Sequence, residues 1–333
     1  MPGLSITICN RNLPEYKGRK ATIPEYSLMD YISTILEKQG CSVIRVVENK
    51  MELNPEGVLL IFGNANWYPT VCRMLMKIPA HKRPLTVIWH TEPLPLPKKA
   101  QLPRHYPNLR EIGKILLCDA RATDIYTNYF RLRSLIKNGI PDILLVSTQS
   151  RCEFLFENGI SSHWIPLGYF PSMGKDMNLF RDIDILFLGA LDVSRRKRLI
   201  RQLRERDVNL ATLGDWFDEA CWGENRTQII NRSKIFLNIH RVYGDLAGYR
   251  MILGMANKSL ILSEPIYNPA PFIPGKHYIS ATIEEMPDVI DYYLNHEQER
   301  ERIANEGHAF LMNELQLEHS IFHILKLIME YHR

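Results

Sequence analysis

Arginines, histidines and acids fall where α/β proteins handle anions. Arg195 and Arg196 open a helix that starts at Ser194, shortly after a strand running into Gly189. A helix N-terminus attracts phosphate through its free N–H groups and its dipole. Ser194 suits the N-cap, where its hydroxyl satisfies one of those N–H groups. Positive charge in the first turn opposes the dipole, so a bound anion relieves an unfavourable arrangement. The alternative is a solvated basic face, and that is the reading for Arg198, Arg201 and Arg204, which lie opposite Leu199, Ile200 and Leu203. Arg250 can grip a phosphate or carboxylate through two parallel hydrogen bonds, or form a salt bridge to Asp245 or Glu264. His240 follows the strand Ile235-Phe-Leu-Asn-Ile239. It is either a titrating site residue or a structural histidine bonded to backbone.

In the first half, His90-Thr91-Glu92 leaves a strand. A histidine and a carboxylate there can serve proton transfer as candidate bases, and the same residue types also cap loops ahead of Pro-rich segments. Asp182-Ile-Asp184 opens a strand rather than closing it, which is the wrong sheet edge for a metal site. The chain carries no G-x-G-x-x-G, Walker, H-E-x-x-H or G-x-S-x-G sequence. No metal and no cofactor are expected.

The elements that must position these groups alternate between strand and helix. Strands are predicted over 4–9, 42–47, 58–62, 85–89 and 143–147, with a strand end over 163–166. Helices are predicted over 26–40, 72–78 and 126–137, and a short one ends at Gly159. Residues 10–22 read as a polar loop. Residues 93–107 are too rich in proline for a helix or central strand, and 112–118 fit either helix or strand. The alternation restarts near residue 183, with strands over 184–190, 233–239 and 259–264. Helices cover 194–206 and 250–256, and an amphipathic one closes the chain over 318–331. Continuous apolar strands between helices argue for parallel sheets covered on both faces. The expected division is 1–168, 169–315 and a C-terminal helix over 316–333 that packs on the body. Strand exits, including Gly63-Asn-Ala-Asn-Trp67 and Gly214-Asp-Trp216, are where ligands bind in such folds.

The 333 residues suffice for two domains, and 45% apolar with 23% charged content is that of a globular protein. A net charge of +4 is too weak to argue for nucleic acid. The six cysteines are dispersed with no C-x-x-C pair, which suggests neither zinc nor a disulfide framework and favours a reducing compartment. Met1-Pro-Gly leads directly into the first strand, leaving no room for a signal peptide, and no apolar run approaches the ~20 residues of a membrane helix. A cytoplasmic protein without a transmembrane segment is expected.

The second half resembles the glycosyltransferases of GT-B fold, in the group-1 branch that includes the spore-maturation CgeB-like proteins. The likeness rests on an ordered series: Phe187-Leu-Gly189, Arg195-Arg196, Leu237-Asn-Ile-His240, Arg250-Met-Ile-Leu-Gly-Met-Ala256, Ser263-Glu264, Pro274-Gly-Lys276 and Glu301-Arg-Ile-Ala304. It covers roughly residues 140–315. The resemblance implies two Rossmann-like domains facing a central cleft, and a metal-independent transferase that moves a sugar from a nucleotide-diphosphate donor to a hydroxyl on an unknown acceptor. Carried over by position, Gly189, Arg195 and Arg196 approach the diphosphate and Gly214 and Trp216 lie near the base. Asp245, Arg250 and Glu264, with His240, line the donor crevice. Group-1 enzymes often carry Glu-x7-Glu, whose second Glu bonds the ribose. Here the pair reads Asp245 and Leu253, and Lys258 stands where a Gly is usual. That departure keeps open a catalytically degenerate GT-B protein that binds or scaffolds, and a nucleotide-sugar epimerase on the same fold is the other alternative.

Overall fold

The structure, a computed structural model, describes residues 3–10, 15–16, 19–20, 24–50, 52–64, 68–103, 106–117, 125–191, 194–214, 218 and 221–331. The chain divides into two compact units. One comprises Met1–Pro14, Glu25–Pro166 and Ser320–Arg333, the other Glu15–Pro24 and Leu167–His319.

The first unit opens with β1 (Ser5–Asn10). A short antiparallel ribbon of β2 (Glu15–Tyr16) and β3 (Arg19–Lys20) follows in the chain and counts with the second unit. That ribbon lies where a polar loop was expected, because two-residue strands carry no periodicity to read. The main sheet adds β4 (Ser42–Val47), β5 (Val58–Phe62), β6 (Leu85–His90), β7 (Ile143–Val146) and β8 (His163–Trp164). Its order is β4-β1-β5-β6-β7-β8 and every pair is parallel. All residues of β5 and β7 are buried, as befits strands covered on both faces. The helices of this unit are α1 (Pro24–Lys38), α2 (Pro69–Lys77), α3 (Leu109–Leu116), α4 (Ile125–Lys137) and α5 (Gln149–Glu157). The ambiguous segment at 112–118 is thus largely helix. Trp89 is fully buried and donates from Nε1 to the Ile165 carbonyl at 3.1 Å, tying β6 to the end of β8. Cys9, Cys41 and Cys72 are buried as small apolar residues, while Cys118 lies outside the described residues.

The second unit repeats the plan with β9 (Ile183–Leu188), β10 (Ala211–Leu213), β11 (Ser233–Asn238), β12 (Leu260–Ser263) and β13 (Ile279–Ser280). The order is β10-β9-β11-β12-β13, again all parallel. The chain leaves β9 for β10 on one side, then returns to place β11 on the other. The C-terminal ends of β9 and β11 therefore flank a topological switch point, where open α/β sheets leave a crevice for ligands. Helices α6 (Ser194–Arg204), α7 (Gly223–Asn231), α8 (Gly248–Ala256), α9 (Met286–Asn295) and α10 (Glu297–Asn313) cover the sheet.

The last helix, α11 (Leu317–Tyr331), begins in the second unit and counts with the first from Ser320 onward, where Ser320 Oγ bonds the Pro166 carbonyl at 2.7 Å. Among the described residues no helix is long and apolar enough to cross a membrane.

The Tyr169 amide bonds the Leu315 carbonyl at 2.7 Å, and the Leu317 amide bonds the Tyr169 carbonyl at 2.9 Å. This draws the backbone at Gly168 so close that an added Cβ would sit 2.4 Å from Gln316 C and Leu317 N. Both neighbours are backbone and cannot swing aside. Gly168→Ala is expected to cost about 1–3 kcal/mol as overpacking, lowering the urea midpoint at unchanged slope. A Cβ added to Gly113, in α3, would meet no atom within 4 Å. Gly113→Ala should instead gain roughly 0.5–1 kcal/mol from helix propensity in the same titration.

Candidate functional site

The site in the second unit forms around the C-terminal end of β11. Helix α6 turns Arg195 and Arg196 inward while Arg198, Arg201 and Arg204 stay exposed. Its cap position, residue 193, lies outside the described residues. Arg195 Nη1 donates to the His240 carbonyl at 2.9 Å, and Arg196 Nε donates to the Ile239 carbonyl at 3.0 Å. From α8, Arg250 Nη1 donates to the same Ile239 carbonyl and to Asn238 Oδ1, each at 2.9 Å. Three guanidiniums from two helices therefore converge on the carbonyls just past the end of one strand. Phe187 lies against two of them, its ring centroid 5.9 Å from the Arg196 guanidinium carbon and 5.3 Å from that of Arg250. Its π face adds attraction without bringing a competing carboxylate.

Glu264, just past β12, is 2% exposed and bonds both terminal nitrogens of Arg195, with the Nη1–Oε2 contact at 2.8 Å. Its Oε2 also accepts the His240 backbone N–H at 2.8 Å. Both oxygens are thereby committed. As it stands Glu264 positions Arg195 rather than offering a free oxygen to a ribose.

His240 resolves toward the structural alternative. Its ring is 1% exposed. Nδ1 accepts the Gly244 amide at 3.3 Å, which assigns the proton to Nε2, 3.2 Å from Ser263 Oγ. Burial and the positive field of Arg195, Arg250 and Arg196 hold the ring well below the usual histidine range. It stays neutral and supports the strand end. Asn238 Nδ2 completes the network with a 2.9 Å bond to Ser263 Oγ. Asn238 and Ser263 belong to the site although they were not singled out as site residues. The available signal was a polar residue closing the apolar run of each strand.

Burial lowers Arg250 to about 10, opposed by the negative field of Glu264. The guanidinium is densely packed, yet the residue keeps part of its surface open to solvent. Such a desolvated cation gains from an incoming anion.

Gly189 lies against this cluster. A Cβ there would stand 2.9 Å from Arg250 Nη2 and 3.2 Å from the Phe187 ring. A Cβ on Gly214 would stand 2.1 Å from the Gly189 carbonyl oxygen. Glycine at 214 is thus dictated by the approach of two backbone segments. Asp245 is buried in the loop between β11 and α8. Leu253 is buried in α8, and Lys258 adopts φ +52° just past that helix with its ammonium 2.8 Å from Asp176. The left-handed backbone explains why glycine is usual there. Trp216 lies outside the described residues. Asp182 and Asp184 pair with Arg232 and Lys234 at the start of the neighbouring strand.

In the first unit, His90 is fully buried. Burial, reinforced by the buried Arg151, pushes it down to about 3. A base must reach the proton it takes. His90 is withdrawn from solvent, whereas Glu92 is half-buried. Of the two candidate bases, Glu92 is the reachable one.

Residues 195–329 match the family described as glycosyl transferase-like, so the match starts at the first arginine of the site. No curated protein matches the chain. Among solved structures, Anabaena HepE in complex with UDP-glucose aligns with a TM-score of 0.55 at 11% identity, over 98% of this chain and 100% of that one. S. aureus TarM aligns with a TM-score of 0.55 at 12% identity, over 89% of this chain. The chain spans only 57% of TarM's length. WaaG, a glycosyltransferase involved in lipopolysaccharide biosynthesis, gives a TM-score of 0.52 at 13% identity over 97% of this chain and 99% of that one. The fold is GT-B. Within that fold the guanidinium cluster occupies the switch point of the C-terminal sheet.

Neutral buried histidines make stability pH-dependent. His90 is depressed to about 3 in the folded chain and His240 is also depressed, so below the ordinary histidine range the unfolded chain takes up protons that the folded chain refuses. Stability is full above ~6.5 and falls by about 1.4 kcal/mol per pH unit per histidine as pH drops toward the folded value. In urea titrations at pH 7 and pH 5, His90→Gln should reduce the stability lost between the two by about 2 kcal/mol. An unchanged loss would contradict the assignment.

Proposed function

We propose that this chain transfers a glycosyl group from a nucleoside-diphosphate sugar to a hydroxyl-bearing acceptor. The observation that carries the reading is the convergence of Arg195, Arg196 and Arg250 at the switch point of the C-terminal sheet. Cleavage of the bond between the anomeric carbon and the diphosphate leaves negative charge on a phosphate oxygen. Preorganised guanidiniums meet that charge without rearranging, which is where electrostatic catalysis is strongest. The acceptor oxygen bonds to the anomeric carbon and gives up its proton, for which Glu92 is the candidate base. The counter-charge comes from arginine, so the reading invokes no metal and no other cofactor.

The glycosyl transferase-like match over 195–329 supports the donor role of the second unit. HepE has been solved with UDP-glucose and TarM with UDP, which favours a nucleotide-sugar donor here. The finer placement in the CgeB-like branch rests on the ordered series from Phe187-Leu-Gly189 to Glu301-Arg-Ile-Ala304. A cytoplasmic location rests on the dispersed cysteines, and the small net charge gives no support to a nucleic-acid partner.

Incubation with UDP-, GDP- and dTDP-sugars should release nucleotide from one class of donor. Arg250→Ala should slow release about 10²–10³-fold, as for removal of one oxyanion donor, while Arg201→Ala leaves it unchanged. Conversion of the donor to a stereoisomer without nucleotide release would indicate an epimerase. Absence of turnover with every donor would support a binding or scaffold protein.

A further inference from the structure

The loop from β11 to α8 carries a closed turn beside the arginine cluster. The Asp245 amide donates to the Val242 carbonyl at 3.1 Å, and Gly244, between them, has φ +79°. A positive φ at the third position is the mark of a type II turn, which leaves the second position to an ordinary residue. Tyr243 holds that second position. The turn is fastened on both sides. The Gly244 amide donates to His240 Nδ1 at 3.3 Å, and the Tyr267 amide donates to the Gly244 carbonyl at 3.0 Å. Gly244 also forms a parallel bridge with Ile266, past the end of β12. Tyr243 therefore stands on fixed backbone, on the β12 side of the switch point and away from β10.

The Arg195 guanidinium lies over the Tyr243 ring, with its carbon 5.3 Å from the ring centroid. The terminal nitrogens of that guanidinium bond Glu264 and the His240 carbonyl, so the tyrosine takes its flat side while those groups take its edge. Tyr243 itself is half-buried, and no described residue bonds its hydroxyl. A phenol normally finds a partner once it is buried, and a ligand in the crevice would bury this one. With one ring face on Arg195, what the turn offers is chiefly the hydroxyl, a neutral group that both donates and accepts. A phosphate calls for a cation, and a nucleobase calls for an open ring face. A sugar calls for neither: its hydroxyls match a phenol that can give or take a hydrogen bond.

We propose that Tyr243 recognises the glycosyl group of the donor, bonding a sugar hydroxyl through its phenol while its ring steadies Arg195. The proposal rests on the glycosyl-transfer reading and gives that reading a residue for the sugar beside the arginines for the diphosphate.

Isothermal titration of the full chain with UDP, GDP and dTDP, each beside its glucose conjugate, tests it in the wild type, Tyr243→Phe and Tyr243→Ala. Tyr243→Phe keeps the ring and removes the hydroxyl. Its affinity for the free diphosphate should hold while that for the conjugate falls about fivefold, the loss of one neutral hydrogen bond. Its unfolding midpoint should match the wild type. Tyr243→Ala also removes the support of Arg195 and should weaken both ligands. Unchanged affinity of Tyr243→Phe for the conjugate would overturn the inference and leave the glycosyl-transfer reading standing. Equal losses for diphosphate and conjugate in Tyr243→Phe would overturn it as well, assigning the phenol to the phosphates. A wild-type chain that bound none of the ligands would overturn both readings together.

Discussion

A carboxylate with 2% exposure is costly unless its charge is met, and Glu264 is met by Arg195 and the His240 amide. That set of bonds joins the loop after β12, the end of β11 and the first turn of α6. Arg195 is held by it, and the fixed strand end then offers the Ile239 and His240 carbonyls to all three arginines. Removing the carboxylate would leave a partly buried guanidinium and a buried amide without their partner. The positive surface at the switch point thus depends on one negative group placed behind it.

The neutral histidine beneath is part of the same arrangement. A charged His240 would add a fourth cation to the cluster, and burial together with the cluster's own field prevents this. The ring supports the backbone through Gly244 and Ser263 without competing for an anion. Asn238 serves similarly, passing polarity from Ser263 on one side to Arg250 on the other. Each buried polar atom of this support has a neighbour of complementary character, which is the condition for such a network to stiffen a site.

Much of the fold was legible because parallel strands buried on both faces read as unbroken apolar runs. Val58–Phe62 and Ile143–Val146 are of this kind. The ribbon of β2 and β3 was not, since two-residue strands leave no pattern. Segment 112–118 stayed ambiguous because a short apolar run fits helix and strand alike. In the site, Arg195, Arg196 and Arg250 stood out by their places beside strand ends. Asn238 and Ser263 did not, because their meeting depends on strand register, which pairs them across β11 and β12. The withdrawal of His90 was equally hidden: it follows from packing and from Arg151, 61 positions along the chain. The order of the strands, which places the crevice between β9 and β11, is likewise a property of topology that no local segment encodes.

The central claim is that the switch point recognises a diphosphate through fixed guanidiniums. Isothermal titration of the full chain with a nucleoside diphosphate and with the matching nucleoside tests it directly. The account predicts binding of the diphosphate that is stronger by at least ~10-fold, weakens with salt, and loses its advantage in Arg195→Ala. Equal affinity for the two ligands, or none for either, would contradict it.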